Sequence, residues 1–102
     1  MRRIRILDEA ARELEEAVAW YEAQRPGLGA ELAAAVDAAL DVLESPTVPL
    51  IHVPYAARAR DVKRLILKRF PYDIVVRERQ DEVVVVAFAH QSRRPGYWRS
   101  RE

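Results

Sequence analysis

The stretch AFAHQSRRPGYWRSR, residues 87–101, ends the most apolar run of the chain with a histidine, four arginines, a tyrosine and a tryptophan. An imidazole exchanges a proton near neutral pH, so His90 is a candidate acid–base group. Strand alternation predicts that His90 continues the face of Val84, Val86 and Phe88, at a strand end where a side chain is both held and exposed. Arg93, Arg94, Arg99 and Arg101 follow, with Tyr97 and Trp98 between them. Guanidinium groups grip phosphates and flat rings stack on bases, so this interleaving suits nucleic acid. The same residues also read as an anchored tail, with Tyr97 and Trp98 on the core and the arginines in water. Adjacent residues tend to face opposite ways, so both readings can hold.

A second basic run, ARARDVKRLILKRF at residues 57–70, supplies Arg58, Arg60, Lys63, Arg64, Lys68 and Arg69. In an ideal strand Arg64 and Lys68 share one face, and Lys63 and Arg69 the other. Together with the tail these would form a basic groove; the plainer reading is an edge strand that carries charge against aggregation. His52, in LIHVPY, is assigned no role. The acidic residues show no metal-ligand spacing, no Gly-rich phosphate loop is present, and Ser45, Ser92 and Ser100 lack an elbow motif. There is no cysteine, which removes disulfides and thiolate metal sites. No metal and no cofactor is expected.

These groups need a scaffold, and 102 residues, half of them hydrophobic and 32% charged, are enough for one domain spanning residues 1–102. RRIRIL alternates as a short strand. Asp8 is placed to cap a helix whose stripe is Ala10, Leu14, Ala17, Val18 and Tyr21. Pro26 and Gly27 end it. A second stripe, Leu28, Leu32, Ala35, Val36, Ala39, Leu40 and Leu43, runs to Ser45 and Pro46, so the two helices form an antiparallel hairpin. Residues 46–60, with Pro46, Pro49 and Pro54, read as loop. Three β-rich runs follow, VKRLILKRF, YDIVVRER and EVVVVAFAH, the last two joined through Gln80 and Asp81. The order β-αα-βββ predicts an α+β sandwich: a helical hairpin on one face of an antiparallel sheet of about four strands, the other face open. Leu14, Val18, Leu32, Val36 and Leu40 are expected between hairpin and sheet.

The net charge of +1 hides an asymmetry. Residues 1–44 hold five Arg against ten acids, and residues 45–102 hold twelve Lys and Arg against six. A basic half suggests a polyanion or an acidic partner. The longest apolar run, Val83–Ala89, is far too short to span a bilayer, and the start of the chain lacks a signal-peptide core. A cytoplasmic location without membrane contact is the expectation.

VKRLILKRFPYDIVVRERQDEVVVVAFAHQSRRPGYW resembles the C-terminal half of RelE/ParE-superfamily toxins of bacterial type II toxin–antitoxin modules. The shared features are the basic pair on the second strand, RFPY before the third, and a strand ending AHQSRRPGYW. The segment AARELEEAVAWYEAQRPGLGAELAAAVDAAL looks like the family's helical hairpin. The resemblance implies a growth-inhibiting toxin silenced by a cognate antitoxin, whose acidic segment would cover the basic sheet face. It leaves the target open between messenger RNA in the ribosomal A site, cut without metal, and DNA gyrase, bound and poisoned without nuclease residues. The favoured reading is ribosome-dependent cleavage, with gyrase inhibition or antitoxin binding alone as alternatives. For cleavage, Arg64 would contact the scissile phosphate, Arg93 would stabilise its developing charge, and His90 and Tyr97 would move protons. Lys63, Lys68, Arg69, Arg94 and Trp98 would bind the substrate. Asp73, in FPYD, stands near a position where RelE has a basic residue, and a carboxylate beside a phosphate is unfavourable.

Overall fold

A computed structural model describes residues 2–45, 51–52, 62–94 and 96–101 of the chain. The elements run β1 (Arg3–Ile6), α1 (Asp8–Gln24), α2 (Leu28–Leu43), β2 (Ile51–His52), β3 (Val62–Ile66), β4 (Tyr72–Glu78) and β5 (Glu82–His90). The α+β arrangement of a helical hairpin on one sheet face is the one expected from the sequence. Leu7, not Asp8, occupies the N-cap position of α1. Asp8 and Glu9 fall instead in its first turn, where negative charge meets the positive end of the helix dipole.

The hairpin between the helices is closed by local chemistry. Gly27 turns the chain at φ 92°, a conformation that glycine adopts without a Cβ clash. The Glu22 carboxylate accepts hydrogen bonds from the Gly27 and Gly29 amides at 2.9 and 3.1 Å, which satisfies free donors at the start of α2. A Cβ built on Gly29 would lie 2.6 Å from the Val18 carbonyl oxygen, so the helices cross here at backbone contact.

The strand order is β1-β5-β4-β3-β2. β3, β4 and β5 form the antiparallel meander that the three β-rich runs predict. Two features were not in the sequence pattern. β1 joins β5 in parallel, making the sheet mixed, and β2 pairs with β3 inside the segment read as loop. The rest of that loop, with Arg58 and Arg60, lies outside the described residues. β3 also stops at Ile66, because residues 67–71 turn the chain so that the Leu67 amide bonds back to the Tyr72 carbonyl at 3.0 Å. Lys68 and Arg69 are therefore exposed turn residues and do not extend the faces of β3.

β5 is paired on both edges, with β1 and β4, which explains its continuous apolar run. Its helix-facing side chains Val83, Val85 and Phe88 pack with Leu32, Val36, Leu43, Ile74 and Val76. Leu14, Val18 and Leu40 lie partly buried at the margin of that cluster. The opposite face carries Val62, Val75, Val84, Val86, Ala87 and Ala89, and it is not open: Trp98 from the C-terminal tail is buried on it, 4% exposed. An indole closes apolar surface that would otherwise meet water.

The strand contains one irregularity with large effect. Val75 pairs with Ala87 but Val76 pairs with Val85, so Val86 is an extra residue in the ladder. Such a bulge puts two successive side chains on one face. Val86 and Ala87 both join the tail-covered cluster, and Phe88 returns to the helices. His90 therefore shares the face of Val83, Val85 and Phe88. The expected grouping of His90 with Val84 and Val86 is corrected by that one extra residue.

Candidate functional site

His90 ends β5 opposite Tyr72 on β4, and the two rings meet edge to face with centroids 5.1 Å apart. The His90 Nδ1 accepts the Ser92 amide at 3.0 Å and lies 2.7 Å from Ser92 Oγ. An acceptor Nδ1 carries no proton, so the neutral ring holds its hydrogen on Nε2. With Glu13, Glu16, Ala17 and Trp20 from α1, the residues Tyr72, Phe88, His90 and Arg93 line a cleft of about 230 Å³.

Tyr97 is engaged beside this cleft. Its hydroxyl donates to Glu13 Oε2, and the Arg93 guanidinium lies 4.0 Å from its ring centroid. Burial raises the phenol's pKa well above its ordinary value of 10.0, and the hydrogen bond and negative charge of Glu13 add to the rise. The opposing charges of Arg93 and Arg101 are too weak to reverse it. A phenol shifted in that direction holds its proton near neutral pH, and here it serves as a hydrogen-bond donor to Glu13.

Glu13 ties three parts of the chain together. It accepts from the Phe88 amide at 3.1 Å and from Arg101 Nη1 at 2.8 Å, besides the Tyr97 hydroxyl. Arg101 Nη1 also reaches the Val86 carbonyl at 3.0 Å. β1 pairs with β5 only as far as Val85. Beyond it, side chains satisfy the backbone groups of Val86 and Phe88 that a strand would otherwise take up.

Arg64 lies elsewhere. It shares with Val62 and Val75 the sheet face covered by the tail, and its Nη1 is 3.3 Å from Asp73 Oδ2. Asp73 is buried, 7% exposed, and also accepts from Gln91 Nε2 at 3.1 Å. The carboxylate neutralises the guanidinium that was expected at a scissile phosphate. The sheet thus separates Arg64 from His90.

A family model described as the ParE toxin of the type II toxin–antitoxin system parDE matches residues 4–95. The chain belongs to the ParE toxin family. Among solved structures, it is similar to a chain of the chromosomal ParDE toxin–antitoxin system from P. aeruginosa. The TM-score is 0.73 at 16% identity, over 88% of this chain and 96% of that chain. At that identity the likeness shows the fold. No curated protein sequence matches.

In this ParE-family chain the residues singled out from sequence divide into separate settings. His90 and Arg93 line one cleft, with Tyr97 stacked under Arg93. Arg64 is paired on the far face. Lys63 forms an ion pair with Glu78, and Arg69 pairs with Glu31 at 2.7 Å. Trp98 is a buried anchor with no free ring face for a base. Lys68 and Arg94 are exposed, and among the described residues neither makes an ion pair. Sequence reasoning missed Glu13, Asp73 as the partner of Arg64, and Trp20. Glu13 sits in a glutamate-rich helix and looks like any solvated residue there. Trp20 did leave a signal: a large ring one position away from Tyr21 on the apolar stripe.

Proposed function

We propose that the chain is a growth-inhibiting toxin that acts by binding, with DNA gyrase as its target, and not by cutting RNA. The observation that carries this reading is the protonated, Glu13-bound Tyr97, with the Asp73-paired Arg64 on the opposite sheet face. Cleavage by ribose attack needs a base and a charge stabiliser at one phosphate. Membership of the ParE family points the same way. The RNA-cleavage reading retains the pairing of His90 with Arg93 in one cleft, without Arg64. Antitoxin binding would neutralise exposed charge such as Lys68 and Arg94 through an acidic segment, and steering of that kind makes association faster at low salt.

The test measures growth arrest, supercoiling by purified gyrase and ribosome-bound messenger cleavage for the wild type, His90→Ala and Tyr97→Phe. A binding toxin inhibits supercoiling, leaves messenger RNA intact, and stays toxic in both variants. General acid–base residues contribute about 10²–10⁴-fold in rate. Messenger cleavage that falls by that order in His90→Ala, with supercoiling untouched, would overturn the proposal.

A further inference from the structure

The exposed indole of Trp20 is the least expected side chain on the surface, at 58% exposure. It does not stand alone. Trp20 meets Tyr21 edge to face, with centroids 5.0 Å apart and planes at 88°. Tyr21 meets Tyr72 at 6.3 Å and 66°, and Tyr72 meets His90 at 5.1 Å and 81°. These four residues line a second cleft of about 260 Å³, contiguous with the first through Trp20, Tyr72 and His90. Four rings thus wall one cavity, and the face of an indole or phenol attracts a cation that comes within about 6 Å of its centroid.

Charge around the cleft has the matching sign. Glu16 stands one helical turn before Trp20 on α1, so the two share a face, and Glu16 lines the adjoining cleft with Trp20. Among the described residues Glu16 makes no ion pair, whereas Glu13 is occupied by Arg101, Tyr97 and the Phe88 amide. Two cations lie nearby, and both are directed elsewhere. Arg93 is stacked on Tyr97, and Arg69 is paired with Glu31. Tyr72 contributes a neutral phenol, because burial, and then Tyr21, raises its pKa.

We propose that this aromatic corner is a docking site for a basic side chain, arginine by preference, from a segment of a partner protein. The guanidinium would lie against Trp20, Tyr21 and Tyr72 with Glu16 as its counter-ion. Arginine is favoured over lysine because its planar, weakly hydrated group stacks on rings. The site is independent of the toxin's target: it lies on the α1 side of the sheet and uses residues without a role in the reading above, apart from the His90 ring that forms one wall.

The probe is a capped Gly-Arg-Gly peptide against its citrulline counterpart, which keeps the shape and loses the charge. Trp20 emission reports binding, and the Trp20→Phe variant, which leaves buried Trp98 as the sole indole, is the control. The arginine peptide should change the emission saturably in the millimolar range, with the citrulline peptide at least ten-fold weaker. Glu16→Gln should weaken the arginine peptide about five-fold, the factor that corresponds to roughly 1 kcal/mol, and leave the citrulline peptide unaffected. Equal binding of the two peptides would make the corner a plain apolar pocket and overturn the proposal. So would an unchanged affinity in Glu16→Gln, a response that persists in Trp20→Phe, or no emission change at all.

Discussion

The two faces of the sheet are closed in different ways. One is covered by two helices of 17 and 16 residues whose apolar stripes recur every three or four positions. The other receives, among the described residues, one large buried ring from a short tail, held by Tyr97 and Arg101 on Glu13. The helix side spreads its stability over many partly redundant contacts. On the tail side a few residues carry both packing and polar satisfaction. A fold can thus be robust on one face and dependent on single residues on the other.

The sharpest break of that contrast is Trp98→Ala beside Leu40→Ala. Removing a buried large aromatic costs about 3–5 kcal/mol, whereas Leu40, at the cluster margin, should fall near the low end of about 2–5 kcal/mol. Chemical denaturation of both variants reads the difference. A smaller loss at Trp98 than at Leu40 would show that the tail is dispensable to the fold.

Gly29→Ala tests the tightness of the helix side. Its Cβ would meet the backbone oxygen of Val18 at 2.6 Å, so the helices must part. The expected cost is about 1–3 kcal/mol, as for other overpacked sites. A thermal midpoint unchanged from wild type would show that the hairpin has slack.

The smallest expected effect concerns acid stability. Burial alone would raise the Glu78 pKa, but hydrogen bonds and charge from Lys63 and Arg2 outweigh it and set it below the ordinary 4.5. A carboxylate depressed in the folded state binds protons more weakly than in the unfolded chain. It therefore stabilises the fold above pH 4.5, and that contribution is lost as the pH falls through the folded value. Glu78→Gln should flatten part of the stability loss below pH 4.5 while leaving the Trp98 and Gly29 effects intact. Urea midpoints at several pH values below 5 check this.

The helices and the meander were legible because periodicity and breakers such as Pro26 and Gly27 act locally. The partner of β1 was not, since four residues of RIRI alternate identically whether paired parallel or antiparallel. Nor was the pairing of Arg64 with Asp73, which depends on the register that aligns Ile66 with Asp73 across two strands. Tyr97 and Trp98 were read as possible anchors, but the contact of Tyr97 with Glu13, 84 positions earlier, lies beyond any local pattern. The face of His90 was hidden for a different reason. In VVVVAFA every position is apolar, so the pattern gives no mark of where the alternation slips.

That slip at Val86 works like a frameshift in the side chains. Upstream of it, odd-numbered residues of β5 face the helices; downstream, even-numbered ones do. Deleting Val86 alone would close the ladder into strict alternation and leave His90 on the helix face, because Ala87, Phe88, Ala89 and His90 already pair in step with Val75, Ile74, Asp73 and Tyr72. What the chain would lose is the Val86 carbonyl, which accepts from Arg101 Nη1 at 3.0 Å. One extra valine thus lets the end of β5 keep step with β4 while offering the tail an acceptor.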